Sequence, residues 1–494
     1  MNIETLRQAL SAIHCFRSDK SNSIVAFNPD TYNMFTVGEQ MFQLICHVKH
    51  GYTLSEIARI LDLSSERIYN ILCTIHERIG TPAESLSIGI SSAVRYDGPI
   101  NLSIHVSNTC NLNCSYCYAE GGTYGNESKL RMDPDLALKS VDTMYSNYGS
   151  IESILFFGGE PTLGISTIKV ICDYIKHKFE LGLVSVLPRY AMVTNGTLLT
   201  ENCVSQIIHE HNISLTVSVD GPECIHDSLR KYRNGDGSFV KVKNGFVNIT
   251  NLTGRKPSIE STFTPIHEKH GYNIKRLEDY FHAEFGSTIE TIVPVNVPDD
   301  HPLAFSDPDV VSCDSTSSLF DSLSDRSYGN SPRIERNILY SILQVLMRKP
   351  RRFMCPIGYS RFTITTDGDI YPCQLFIGQK EFYMGNINHF NINDPSVDII
   401  KAQNSLEYRD KYRNPKCTTC WAKHLCTACP ASSLLKNNNY TTTDEFCMHS
   451  KERVELILST LYELHKSPNT WMQFLENLEN LSTVLSKEDD VYHC

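Results

Sequence analysis

No stretch of this chain approaches the roughly 18 consecutive apolar residues that a membrane-spanning helix requires. The opening residues, "MNIETLRQALSAIHCF", lack a basic segment followed by an apolar core, so no secretory signal is expected. There is no block of basic residues, and the formal charge of −11 is spread along the sequence, which argues against nucleic acid as the main partner. Tandem repeats are also missing. These absences predict a cytoplasmic enzyme with no membrane or nucleic-acid partner. At 494 residues the chain has room for about two to four domains with full cores. Cysteine is not in short supply: there are 18. In a reducing compartment such thiols serve metals or catalysis rather than disulfides.

Ten of the 18 cysteines fall in three sets. "CNLNCSYC" holds Cys110, Cys114 and Cys117; "CPIGYSRFTITTDGDIYPC" holds Cys355 and Cys373. "CTTCWAKHLCTAC" holds Cys417, Cys420, Cys426 and Cys429, with Cys447 following in "DEFC". The other eight (Cys15, Cys46, Cys73, Cys172, Cys203, Cys224, Cys313 and Cys494) are isolated and read as packed or surface thiols. Closely spaced thiolates bind soft metals, and both zinc and iron–sulfur clusters take four. Nothing near Cys110 completes a four-ligand zinc site, and His105 lies on an apparent strand, where packing is the expected role. Three thiolates can instead hold three irons of a [4Fe–4S] cube and leave the fourth open to a further ligand.

Residues 98–295 alternate strand-like runs with helical patterns. The runs are "INLSIHVS", "SILFFGG", "YAMVTNG", "SLTVSVDG", "SIESTFT" and "TIETIVPV", separated by segments such as "PDLALKSVDTMYSNY" and "GISTIKVICDYIKHKF". Such alternation means parallel strands joined by helical crossovers. Six units predict a partial barrel in preference to an open doubly wound sheet. The cysteine triplet, "GGEP", "TNG" and "SVDG" follow the first four strands, and "EST" lies inside the fifth. The carboxyl ends of parallel strands form the active face, so periodicity alone gathers these elements around one mouth.

These residues carry a resemblance. CxxxCxxC with Tyr116 before its third cysteine looks like the radical S-adenosylmethionine (SAM) signature. "GGEP" at Gly158–Pro161 resembles that superfamily's SAM-binding motif, and the later cysteines resemble the SPASM extension of peptide-modifying members. The resemblance covers roughly residues 98–450. It implies that Cys110, Cys114 and Cys117 bind a [4Fe–4S] cluster whose open iron chelates SAM, with Tyr116 beside the adenine. Glycines Gly158 and Gly159 would allow close backbone approach, and Glu160 would accept a hydrogen bond from the SAM ammonium. Asn195, Ser218 and Arg230 match positions that in relatives contact the ribose and carboxylate; turn chemistry and a solvated face are their ordinary alternatives. The implied electron donor is a flavodoxin or ferredoxin.

SPASM members hold two further [4Fe–4S] clusters. By analogy Cys355, Cys373 and Cys429 take the first auxiliary cluster, and Cys417, Cys420, Cys426 and Cys447 the second. The spacing CxxCx5CxxC is one residue shorter before Cys429 than the family pattern. Relatives with full ligation have a cysteine where this chain has Arg361, so the first auxiliary cluster is short of a protein thiolate. An open iron there could take a substrate cysteine and lower its pKa; water or another side chain is the alternative. Zinc at 417–429 is the competing metal.

Residues 1–95 read as a separate unit. "SIVAFNPDTYNMFTV" predicts a hairpin with an Asn-Pro-Asp turn, and three short amphipathic helices follow, with Thr53 and Ser65 as caps. Residues 1–90 carry seven Lys or Arg against nine Asp or Glu, too acidic for a DNA reader. The arrangement resembles the PqqD-like peptide-recognition domain, in which a leader peptide adds as a strand to the sheet edge. The expected domains are 1–95 for leader recognition, 96–300 for the barrel, 301–350 as a linker, 351–450 for the auxiliary clusters and 451–494 as a helical tail. The fold class is then α/β: a partial (β/α)6 TIM-like radical SAM barrel, an N-terminal winged-helix-like α+β domain, and a C-terminal cysteine-rich SPASM extension. The expected function is maturation of a ribosomally made precursor peptide, by a thioether from a substrate cysteine to carbon, as in sactipeptide and ranthipeptide maturases. Carbon–carbon crosslinking, formylglycine formation of the sulfatase type and a metal-stabilised DNA-binding regulator are the alternatives. No general base is assigned; Asp220 and Glu260 are weak candidates, with structural capping equally open.

Overall fold

The computed structural model describes residue 10 and residues 12–18, 21–79, 98–125, 130–286, 290–306, 336–431, 434–435 and 443–488. The Ser/Asp-rich run at 305–335, read from sequence as a surface excursion, lies outside these residues except at its start, as do Cys313 and Cys494.

The six expected strands form: β4 (Ile100–Ser107), β6 (Ile151–Gly158), β7 (Arg189–Thr194), β8 (Ser214–Ser218), β10 (Ser258–Phe263) and β11 (Glu290–Pro294). All pair in parallel, in the order 4-6-7-8-10-11. Among these six each new strand adds on the same side, the strand order of a partial barrel. Ile104, Val106, Ile154, Phe156, Met192, Val217 and Ile259 pack with the crossover helices in one core. Alternation turns Ser103, His105 and Ser107, Thr216 and Ser218, and Glu260 to the other face.

The crossover Pro134–Tyr148 shows why these helices form. Asp133 caps it by accepting from the N–H groups of Asp135 (3.0 Å) and Leu136 (3.4 Å), and a proline fills the first turn. Ala137, Val141 and Met144 recur at helical spacing and are wholly buried. Gly149, at φ 78°, ends it with its N–H on the Tyr145 carbonyl.

Two elements link regions that the sequence reading set apart. β12 (Arg361–Ile364), expected in a separate extension, pairs in parallel with β4, and β13 (Ile370–Tyr371) adds antiparallel to it. The sheet therefore has eight strands and runs through both regions. The helix Asp444–His465 also passes straight through the expected limit at 450, with Cys447 in its first turn.

The N-terminal unit is a three-stranded antiparallel sheet of β1 (His14–Arg17), β2 (Ile24–Phe27) and β3 (Met34–Val37), with helices Glu39–Lys49, Leu54–Leu61 and Ser65–Ile79. Asn28 forms the turn as read, its side chain accepting from the N–H groups of Asp30 and Thr31. Thr53 and Glu56 form a reciprocal capping box. The third helix is capped by Ser64, which accepts from the Arg67 N–H, rather than by Ser65. Strand alternation makes the unit two-sided. Ile24, Ala26 and Val37 face its own helices, while Phe16, Val25 and Phe27 share a cluster with Ile338, Leu458 and Phe474, which lie on later helices, and with Leu425 of the cysteine-rich loop. The unit is thus docked, not tethered. His14 stacks on Trp421 at 3.6 Å with the rings 3° from parallel, and its Nε2 lies 2.6 Å from Glu455 Oε1. Among the described residues no helix is long and apolar enough to cross a membrane.

Candidate active site and cluster-binding cysteines

The cysteine triplet leaves β4 and is held against the "GGEP" loop by backbone contacts. Gly159 N–H donates to Ser107 O (2.8 Å) and Glu160 N–H to Thr109 O (2.9 Å). Gly158 has φ 128°, and a Cβ there would lie 2.0 Å from Ser107 O. A Cβ on Gly159 would lie 2.5 Å from Thr109 O and 3.0 Å from the Cα of Gly122. The two glycines permit this close contact between loops.

Glu160 is 1% exposed. Its Oε1 accepts from Thr162 N–H (3.0 Å), Thr162 Oγ1 (2.5 Å) and Thr194 Oγ1 (2.7 Å), and Oε2 from Asn195 N–H (2.7 Å). Burial raises its pKa, and these four donors act the other way. One acceptor position remains, on Oε2. Asn195 continues the network. Its Nδ2 donates to Asn111 Oδ1 (2.8 Å) and reaches Cys110 Sγ (3.6 Å), and its Oδ1 accepts from Thr197 N–H and Oγ1.

The other side of the triplet is fixed by a two-stranded ladder, β5 (Leu112–Cys114) with β9 (Arg230–Tyr232), in which Cys114 faces Arg230. Arg230 Nε donates to Asp220 Oδ2 (2.9 Å), and its guanidinium lies 5.4 Å from the centre of the Tyr116 ring. Tyr116 OH donates to the same Asp220 oxygen (2.5 Å), while Asp220 Oδ1 accepts from Thr262 N–H (3.1 Å). Burial opposes the charged carboxylate, yet Arg230, His226 and these hydrogen bonds hold the Asp220 pKa below its usual value. Asp220 therefore acts as a tie between Arg230 and Tyr116, the structural alternative left open by the sequence. Glu260, half-buried on β10, is the reverse case: burial raises its pKa, with Arg230 pulling it down. Of the two it is the better proton acceptor. Ser218 is buried at the end of β8, beside Glu260 in the strand register. His105 is fully buried against Tyr124 and Phe157, packed as expected.

The distant cysteines lie in two neighbourhoods. Cys355, Cys373 and Cys429 share one apolar cluster with Phe376, Phe382, Leu406 and Tyr408. Cys417 lies among Cys426, Cys420 and Cys447, whose mutual proximity adds to the effect of burial in pushing its thiol up to about 12. Burial likewise pushes Cys110 up to about 12 and Cys114 to about 11. Thiols held so high become thiolates only when a metal supplies positive charge. Among the described residues no three Cys, His, Asp or Glu converge tightly enough to grip one metal ion. A four-iron cube has more widely separated ligand positions than a single zinc ion. Two buried cations complete the fit. Lys411 is 0% exposed and Arg409 is 7% exposed, with its Nε unpartnered; the charged neighbours of Arg409 begin with Cys355 and those of Lys411 with Cys426. Anionic clusters at these thiols would satisfy both. Arg361, the residue aligned from sequence with the family's further cysteine, is the first residue of β12.

A cavity of about 740 Å³ separates the triplet from the first distant group. Cys114, Tyr116, Cys117, Asn296, Gln374 and Leu434 are among the residues that line it. Sequence reasoning missed Asn111 and Thr197, which hydrogen-bond the Asn195 side chain, and Thr194, which donates to Glu160. The "TNGT" string was the available signal, because short polar side chains after a strand tie local turns.

Comparison with known proteins agrees with this geometry. Residues 104–278 match the model of the radical SAM superfamily, and residues 355–421 match that of an iron–sulfur cluster-binding domain, SPASM. The chain has the radical SAM fold with a C-terminal SPASM domain. It is 25% identical over 373 residues to a cysteine-type anaerobic sulfatase-maturating enzyme of Clostridium novyi, covering 73% of this chain and 96% of that one. It is 20% identical over 400 residues to AlbA, the subtilosin biosynthesis protein of Bacillus subtilis, covering 78% of this chain and 79% of that one. Among solved structures, anSMEcpe with bound AdoMet aligns with a TM-score of 0.57 at 21% identity, covering 73% of this chain and 96% of that one. At that identity the likeness speaks for the fold.

Proposed function

We propose that this radical SAM/SPASM enzyme matures a ribosomally made precursor peptide by joining a substrate cysteine to carbon as a thioether. One observation carries the reading: a single cavity is bounded on one side by the SAM-motif cysteines and on the other by the loop after Cys373. A peptide bound there touches both cluster sites at once. When bound, SAM and the first cluster supply a 5′-deoxyadenosyl radical that removes one hydrogen atom from substrate. Cys110, Cys114 and Cys117 would hold that cluster. Arg230 and Tyr116, tied by Asp220, would face SAM beside Cys114, and Glu160 would offer its one remaining acceptor to the ammonium. Cys355, Cys373 and Cys429 would hold the first auxiliary cluster, with the substrate thiol completing the donor set. Cys417, Cys420, Cys426 and Cys447 would hold the second. For balance, one hydrogen leaves on 5′-deoxyadenosine, the thiol proton is released, and one electron passes to a one-electron acceptor. Glu260 is the group suited to take that proton. A flavodoxin or ferredoxin is the proposed source of the initiating electron.

The N-terminal unit is proposed to be PqqD-like and to bind the leader of the precursor as a fourth strand. Its β1–β2–β3 order makes β3 an edge. The reading is tested by mass spectrometry of the product. A loss of two hydrogens per crosslink, with thiols no longer alkylated, is expected, whereas a product keeping every thiol free rejects the thioether. The extended match to a sulfatase-maturating enzyme favours a second reading, formylglycine formation from cysteine. That product would contain a new aldehyde in place of a crosslink.

A further inference from the structure

Residues 409–411, the end of a short 3-10 turn followed by one bridge residue, run between the two distant cysteine groups. They pair with 352–354: Met354 N–H donates to Arg409 O (3.0 Å), Lys411 N–H to Arg352 O (3.1 Å), and Phe353 bridges Asp410. Asp410 Oδ2 accepts both Nε (3.0 Å) and Nη2 (2.8 Å) of Arg352. The only carboxylate on this segment is thus taken by a different arginine.

Lys411 has no exposed surface, and its Nζ donates to two carbonyls, Lys423 O (2.7 Å) and Cys426 O (2.8 Å). Both carbonyls belong to the loop carrying Cys417, Cys420, Cys426 and Cys429. No carboxylate among the described residues pairs with it. Arg409 Nη1 donates to Leu406 O (3.0 Å), its guanidinium lies 4.9 Å from the Phe353 ring centre, and its Nε has no partner. Removing an ammonium from water costs several kcal/mol, and two carbonyl dipoles do not repay it without an opposing charge. Two buried cations, neither of them hydrogen-bonded to a carboxylate among the described residues and each beside a thiol set, point to a missing charge that the thiols hold.

We propose that Lys411 and Arg409 are the fixed counter-ions of the second and first auxiliary clusters, and that they set the clusters' reduction potentials. Reduction adds an electron to an already anionic cluster, so a neighbouring positive charge stabilises the reduced form and raises the potential. The pair thereby makes the auxiliary sites better electron acceptors, which the electron balance of crosslinking requires. These are positioning residues, acting through the clusters and not on substrate.

This inference rests on the cluster assignment above. The test uses the full chain with Cys110, Cys114 and Cys117 replaced by alanine, so that only auxiliary clusters remain, titrated anaerobically against redox potential by electron paramagnetic resonance. Lys411→Met is expected to shift one midpoint to a more negative value, and Arg409→Met the other, at unchanged iron content. If Lys411→Met loses iron at the second site, Lys411→Arg is expected to restore both iron and potential. Unchanged midpoints with full iron overturn the inference. So does equal iron loss in the Met and Arg variants, which would make shape and not charge the requirement. A parent chain without iron at these cysteines would overturn the cluster assignment itself, and the inference with it.

Discussion

Arg230 stands opposite Cys114 in the β5–β9 ladder, and its Nη1 comes within 4.0 Å of the Cys114 sulfur while its Nε is held by Asp220. One guanidinium thus links a candidate cluster ligand to a carboxylate with no solvent exposure. Removing it leaves Asp220 charged and unpaired. Arg230→Met is expected to lower stability by about 3–5 kcal/mol in urea unfolding and to abolish 5′-deoxyadenosine formation. Arg230→Lys, which lacks the planar fork, is expected to recover part of the stability and little of the cleavage. Wild-type cleavage in Arg230→Met would remove Arg230 from the site.

Gly159 provides a sharper steric test. A methyl group there meets Thr109 O at 2.5 Å, and neither backbone can retreat without separating the two loops. Gly159→Ala is expected to lose SAM cleavage and the iron bound by Cys110, Cys114 and Cys117, while keeping the iron of the SPASM region. Iron analysis beside a cleavage assay separates these outcomes, and an alanine variant with full iron and full cleavage contradicts the packing argument.

Acid should destabilise the chain through buried neutral histidines. His226 Nδ1 accepts from Asp220 N–H, and burial, opposed by Asp220, lowers its pKa to about 4. Burial lowers His105 to about 3. In the unfolded chain both protonate near pH 6.5, so from there downward the unfolded state binds more protons and stability falls. Above that pH their contribution is flat. His226 alone accounts for about 3 kcal/mol once the pH is below its folded value. Urea unfolding between pH 7 and 5 is expected to show the decline, and His105→Phe to make it shallower. Equal stability across that range would refute it.

The edge strand β3, proposed above to bind the leader, offers a fourth test. Asn28 N–H donates to Asn33 O at the hairpin end, and antiparallel alternation from that pair turns the N–H of Thr36 away from β2. Thr36→Pro deletes an outward donor on an exposed position. Affinity for the full precursor is expected to fall at least tenfold, the equivalent of about one hydrogen bond. SAM cleavage without peptide should not change. Undiminished precursor binding would move the leader elsewhere.

Much of the barrel was legible in the sequence because its signals are local. "PDLALKSVDTMYSNY" matches the helix Pro134–Tyr148 residue for residue. What escaped depends on partners distant in the chain. Nothing in "RFTI" announces that Arg361 will pair with Asn101, and nothing in "RDKYRNPK" announces a fully buried lysine; both read as ordinary polar strings. Ser64 displaced Ser65 as a cap because helix ends shift by a residue at little cost.

The pairing of β12 with β4 also bears on how the gene product can be divided. A fragment ending before residue 351 would keep every SAM-motif residue, yet β4 would become a bare margin with its amides open to any passing strand. Such a truncation should be recovered as aggregate. The two halves of the enzyme are woven into one fabric, and whatever cuts that fabric unravels both.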